Sequence, residues 1–156
     1  MQLSRNFSLA ELTHSNTAEA RGIDNTPNAA QLAELRMLAT RLQTMRDILG
    51  KPLNITSGFR APDVNKAVKG ASKSQHLYGR AADIAVSGHD RRAMVEAALK
   101  AGFTGIGLGR TFLHVDTRAA PLTVWQYQAD ATKLWIPALG ANPIAAVRQM
   151  AKEIAQ

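Results

Sequence analysis

Between Asn28 and Leu49 the apolar residues Leu32, Leu35, Leu38, Leu42, Met45 and Leu49 recur at helical spacing, the longest periodic run in the chain. Thr26 and Pro27 stand where a helix can open, because the fixed φ of proline suits a first turn, and Gly50 closes the run. The spacing therefore predicts one long core helix. The apolar stretches that follow are short. LNITSGFR reads as a strand entering a turn at Ser57-Gly58, AADIAV as a second strand, and GIGLG and TFLHVDT as strands around a turn at Gly109-Arg110. A helix is predicted from Asp90 to Lys100, closed by Gly102. Asn142 and Pro143 open a last amphipathic helix with Ile144, Val147, Ala151 and Ile154 on one side. NFSLAELTHS reads as a short docking segment with Ser8 as a cap. Residues 61–75 read as a polar loop, and so does the segment containing WQYQ and KLWIPALG. The expected fold class is α+β, a small antiparallel sheet flanked by helices. The expected organisation is a single domain over 1–156, with a core over about 5–127 and a helical extension over about 128–156.

Composition removes several functions. There is no cysteine, so disulfides, thiolate metal sites and cysteine nucleophiles are excluded, and a transition-metal site must draw on Asp, Glu and the four histidines His14, His76, His89 and His114. No apolar run has membrane-spanning length, and the N-terminus lacks an apolar core of signal-peptide size. Synthesis in the cytoplasm is expected, with any action outside it depending on another route of release. Nineteen Lys and Arg against twelve Asp and Glu give a net charge of +7. That excess favours polyanionic partners, whether nucleic acid, anionic lipid or acidic wall polymer. The charges form no block of five or six and no aromatic-rich basic motif, so nucleic acid is not expected as a partner.

The stretch 74-SQHLYGRAADIAV-86 sets His76 seven residues ahead of Asp83 with Gly79 between them. Strand alternation turns Asp83 away from Ala82 and Ile84, and turns His114 and Asp116 away from Leu113 and Val115. Antiparallel pairing of these two strands would set Asp83 beside His114, and the turn at Gly79 could bring His76 to complete the set. Three protein ligands with one open position is the arrangement of a catalytic zinc. The plainer reading is a pair of strands with polar residues on a solvent face. Against it stands the cost of a carboxylate in an otherwise apolar strand, which asks for a cationic partner.

SGFR (57–60), SQHLYGRAAD (74–83) and HVDTR (114–118) together resemble the zinc D-alanyl-D-alanine carboxypeptidase family, over about residues 5 to 127. The likeness is greatest to its short branch ending in H-V-D, which includes phage and prophage endolysins, and the fold it implies is the one shared with Hedgehog-like domains. The resemblance implies zinc as cofactor and His76, Asp83 and His114 as its ligands. It implies that Arg60 steadies the substrate and its developing charge, a role that a guanidinium fork suits. Ser74 is then a hydrogen-bond donor to substrate or a turn cap, Gly79 allows the tight path between ligands, Ala81 permits close packing, and Trp125 lines the cleft. Many relatives carry the general base three residues before the last histidine; here that position is Thr111, which cannot act as one. Asp116 is the nearest replacement, taking a proton as base or orienting a ligand ring. His89 and His14 read as ordinary solvated residues.

The expected function is a zinc-dependent peptidoglycan peptidase, hydrolysing an amide of the stem peptide or cross-link, in an endolysin released through a pore made by another protein. Peptidoglycan stem peptides are the expected partners of a monomer whose last helix could touch a membrane surface. Two alternatives stand beside it: a zinc-holding, non-catalytic wall-binding module of the same fold, and a phage structural protein.

Overall fold

The computed structural model describes all of residues 1–156. In chain order the elements are β1 (Gln2–Ser4), β2 (Phe7–Ser8), α1 (Leu9–Thr13), α2 (Asn16–Arg21), α3 (Ala29–Leu49), β3 (Ile55–Ser57), α4 (Pro62–Ala67), a 3₁₀ turn (Gln75–Tyr78) and β4 (Ala81–Ala85). They continue with α5 (Arg91–Lys100), β5 (Gly105–Leu108), β6 (Phe112–Asp116), β7 (Thr123–Gln126), α6 (Ala129–Leu139) and α7 (Pro143–Ala155).

The long helix α3 opens on a capping box at Asn28 and Gln31, each side chain accepting the other's backbone N–H at 2.8 Å. It ends at Gly50, which takes the left-handed conformation at φ 68°. Leu35, Leu38, Ala39, Leu42 and Met45 form its buried stripe, packed against α5, whose Met94, Val95, Ala97 and Ala98 meet it. Each such aliphatic side chain removed from water contributes about 1.5–3 kcal/mol for the larger ones. These contacts hold the helices on one face of the sheet.

The main sheet has the order β3-β4-β6-β5-β7. Its first four strands pair antiparallel, as expected. The edge strand β7 instead runs parallel to β5, which makes the sheet mixed. Alternation separates the two faces of the sheet. Ala82, Ile84, Ile106, Leu108, Leu113, Val115 and Val124 point into the core with α3 and α5. Asp83, Gly105, Gly107, His114, Asp116 and Trp125 stand at the intervening positions.

Three expectations on local structure need correction. Residues 61–75 are not all loop: Pro62 occupies the first turn of α4, the same role that Pro143 has in α7. The TVWQ segment is strand β7, recruited by the free edge of β5 despite its four-residue length. KLWIPALG lies mostly in α6, with Pro137 inside the helix. There the fully buried Trp135 ring, whose indole N–H donates to the Gly109 carbonyl at 2.8 Å, outweighs the hydrogen bond that proline removes. Trp135, Leu139, Val147 and Met150 from the last two helices join the same apolar cluster as α3 and the sheet. The buried side of α7 is thus used within the fold. No helix is long and apolar enough to cross a membrane.

Candidate metal centre

The two strands that carry Asp83 and His114 are antiparallel neighbours, and those two residues are directly paired. His76 arrives from the 3₁₀ turn. Ser74 caps that turn, its hydroxyl accepting the His76 backbone N–H at 3.2 Å, and Gly79 closes it at φ 75°. A side chain at Gly79 would be strained by that φ and would also press on the Gln31 carbonyl of α3 at 2.7 Å. The turn is therefore packed directly on the long helix, which fixes the position of His76. Ala81 follows as the first, fully buried residue of β4.

His76, Asp83 and His114 present ligand atoms that all lie within 4.8 Å of one another. His76 Nδ1 is 2.7 Å from the Gly58 carbonyl, so this nitrogen carries the proton and Nε2 keeps its lone pair. That Nε2 is buried with no hydrogen-bond partner, 3.3 Å from Asp83 Oδ1. A buried lone pair without a donor suits a metal ligand. His114 turns its Nδ1 toward Asp83 Oδ1 at 3.0 Å and its Nε2 toward Asp116 Oδ2 at 2.7 Å. Two imidazoles and a carboxylate, each imidazole held at its far nitrogen by an oxygen, match the donor set of a zinc ion. The residues fit the metal.

Burial and mutual contacts set the electrostatics of the three residues. Burial lowers the pKa of His76, more than Asp83 raises it, and leaves the ring neutral. Burial raises that of Asp83, yet the two histidines outweigh it and hold the carboxyl well below its usual range. For His114 burial acts downward, but Asp116 and Asp83 together move the pKa up.

Asp116, expected as a general base or as a carboxylate that orients a ligand ring, stands behind His114 and away from the cleft. It is 0% exposed and does not line the cleft. Arg118 donates to both of its oxygens, through Nε at 2.8 Å and through a terminal nitrogen at 2.7 Å. Burial opposes its ionisation, but Arg118 and His114 hold its pKa at about 2. This geometry fits the other role the sequence allows, a carboxylate that orients a ligand ring. Thr111 is exposed in the turn before β6.

Arg60 does reach the cluster. Its Nε donates to Ser57 Oγ at 3.2 Å, one terminal nitrogen donates to Asn65 Oδ1 at 3.0 Å, and the other lies 3.7 Å from Asp83 Oδ2. Burial lowers its pKa, with Asp83 acting against that. Ser74 and Trp125 line the same cleft, and the Trp125 ring lies 5.0 Å from that of His114. His14 stands on the cleft rim, near Asn16 and Glu19, while His89 is elsewhere, its ring nitrogen 3.0 Å from the Pro52 carbonyl.

The cleft above the cluster has a volume of about 890 Å³. Asp83 is the only carboxylate that lines it, against Arg60, Lys69, Lys73 and Arg118. Sequence reasoning passed over several of its parts. Arg118 was quoted in HVDTR without a role; its spacing of two from Asp116 was the available signal. Asn65, buried, accepts from Arg60 and donates to the Ala71 carbonyl at 3.0 Å, which no motif announced. Tyr127 was missed because its segment was read as loop.

Comparison with known proteins agrees with the site. The family model described as Peptidase M15 matches residues 5–116. A protein named zinc D-Ala-D-Ala carboxypeptidase, from Streptomyces albus G, is 38% identical over 102 residues, which is 65% of this chain and 39% of that protein. The chain thus spans well under half the length of this relative. With the α+β fold and the His, Asp, His cluster on the page, the match over most of the chain settles its classification: it belongs to the peptidase M15 family.

Proposed function

We propose that this chain is a zinc peptidase that hydrolyses an amide bond in the peptide part of peptidoglycan. The observation that carries the reading is the convergence of His76 Nε2, Asp83 and His114 Nδ1 on one point at the base of a cationic cleft, with Arg60 beside it. Zinc held by these three atoms supplies a Lewis acid that polarises a carbonyl and brings the pKa of water toward neutrality.

The protein's own residues do the rest. Gly58 and Asp116 hold the two imidazoles in the orientation that exposes one lone pair each to the cluster. Arg60 is anchored by Ser57 and Asn65, so its guanidinium is fixed before substrate arrives and meets a carboxylate or a carbonyl that gains charge without reorganising. Four Lys and Arg side chains against one Asp make the cleft suited to acidic peptides, as stem peptides with their free carboxylates are. The name of the relative and the H-V-D resemblance favour a D-Ala-D-Ala bond in the stem or cross-link. The H-V-D resemblance also favours an endolysin role, and the net charge of +7 suits adhesion to an acidic wall.

A zinc-holding module that binds wall without cutting it is the second reading. It is favoured by one observation: Thr111 and Asp116 leave the cleft without a free carboxylate apart from Asp83. Two variants separate the readings. Asp83→Ala is expected to lose zinc and hydrolysis together. Arg60→Ala is expected to keep one zinc per chain, measured by metal analysis, while hydrolysis of muropeptides falls about a hundredfold or more. Retained zinc with no hydrolysis even in the wild type would favour the binding module.

A further inference from the structure

We propose that Tyr127 is a catalytic residue, its phenol donating a hydrogen bond to the substrate carbonyl oxygen as that oxygen gains negative charge, across the cleft from Arg60. The inference rests on the peptidase reading above.

Tyr127 directly follows β7, and its backbone N–H donates to the Leu108 carbonyl at 3.2 Å, so the main chain beneath it is held in the sheet. Its ring is fixed on three sides. The Phe112 ring lies 5.0 Å away, that of Trp125 6.0 Å away and that of His114 6.2 Å away. Below it lies Gly107, the residue paired with both His114 on one side and Trp125 on the other. A Cβ at Gly107 would stand 2.7 Å from Tyr127 Cε2 and 2.9 Å from Trp125 Cε2. Both rings thus lie directly on bare backbone, and a larger residue at 107 would lift them away from the metal cluster.

This packing leaves the phenol facing the cleft that Arg60, His76, Asp83 and His114 line, with 44% of the residue exposed and accessible to a bound substrate. The hydroxyl makes no hydrogen bond to an acceptor within the chain, so its proton is available. A phenol ordinarily titrates near pH ~10, so at neutral pH the hydroxyl is a donor rather than an anion. Arg60 and Arg118 are the cations in its field, and Asp83 and Asp116 the carboxylates. A neutral donor fixed by aromatic packing is well suited to stabilise charge that appears only in the transition state.

The test is Tyr127→Phe, which removes one oxygen and keeps the ring. The zinc-loaded variant is assayed on the muropeptide bond that the wild type cuts. Binding is then compared, by calorimetry, for a non-cleaved peptide and for the phosphinate isostere of that bond. The expected result is a fall in kcat of about ten- to a hundredfold, with KM within about twofold and zinc content unchanged. The phosphinate is expected to bind weaker by a similar factor while the peptide does not. Unchanged kcat would overturn the proposal. So would equal weakening of both ligands, which marks a uniform binding contact, or loss of zinc along with activity, which marks a structural one. A wild type that cuts no muropeptide would instead overturn the peptidase reading itself.

Discussion

The carboxylate of Asp116 shows how much of this site is decided by which neighbour a side chain finds. On the strand it shares a face with His114, which by spacing alone allows two roles. The structure adds Arg118, whose paired hydrogen bonds occupy both oxygens, and Gly105, where any Cβ would overlap the carboxylate. On the proposed reading Asp116 acts through His114, holding its Nε2 so that Nδ1 faces the cluster. Replacing it as Asp116→Asn is expected to weaken zinc binding about ten- to a hundredfold, the usual cost of losing a carboxylate behind a ligating histidine. Competition with a fluorescent chelator reads that change. Unchanged zinc affinity would show that His114 is oriented by something else. The pairing of Asp83 with His114 was legible because strand alternation fixes which residues share a face, and the approach of His76 because Gly79 marks a turn. Arg118 and Asn65 were not, since their contacts with Asp116, Arg60 and Ala71 are local but depend on side-chain geometry that no spacing specifies. Tyr127 was not either, since its ring meets Phe112 and His114 only once β7 joins the sheet.

At the level of elements, α3, α5, α7 and the strands β4, β5 and β6 follow from periodicity and caps, with apolar period and glycine stops in agreement. Among the elements that escaped were α4, β7 and α6. The first two are six and four residues long, too short to show a period, and the last contains a proline. Their existence depends on tertiary partners: β7 on the free edge of β5, and α6 on the burial of Trp135. That dependence gives a prediction. Trp135→Ala removes a fully buried indole and leaves the Gly109 carbonyl without its donor, at a cost of about 3–5 kcal/mol. Denaturant unfolding measures it. Because Gly109 sits in the turn between β5 and β6, the variant is also expected to loosen the strand that carries His114. A loss under 1 kcal/mol would mean that α6 is peripheral to the sheet.

For the whole molecule, the family match ends at residue 116, but the packing does not. Val124, Trp135, Leu139, Val147 and Met150 all belong to the cluster that includes α3 and the sheet. A chain cut after residue 127 is expected to lose cooperative unfolding, read by circular dichroism on heating, whereas an autonomous extension would leave the transition intact. The layout has a functional consequence: one face of the sheet is core, and the opposite face carries the metal cluster, the basic side chains and the aromatic wall. The most direct measurement of the central proposal is incubation of the zinc-loaded protein with purified peptidoglycan, with and without chelator, followed by mass analysis of released fragments. The account predicts new amino and carboxyl ends from a stem or cross-link amide, absent when chelator is present. Intact peptidoglycan from a protein that still holds one zinc per chain would contradict it.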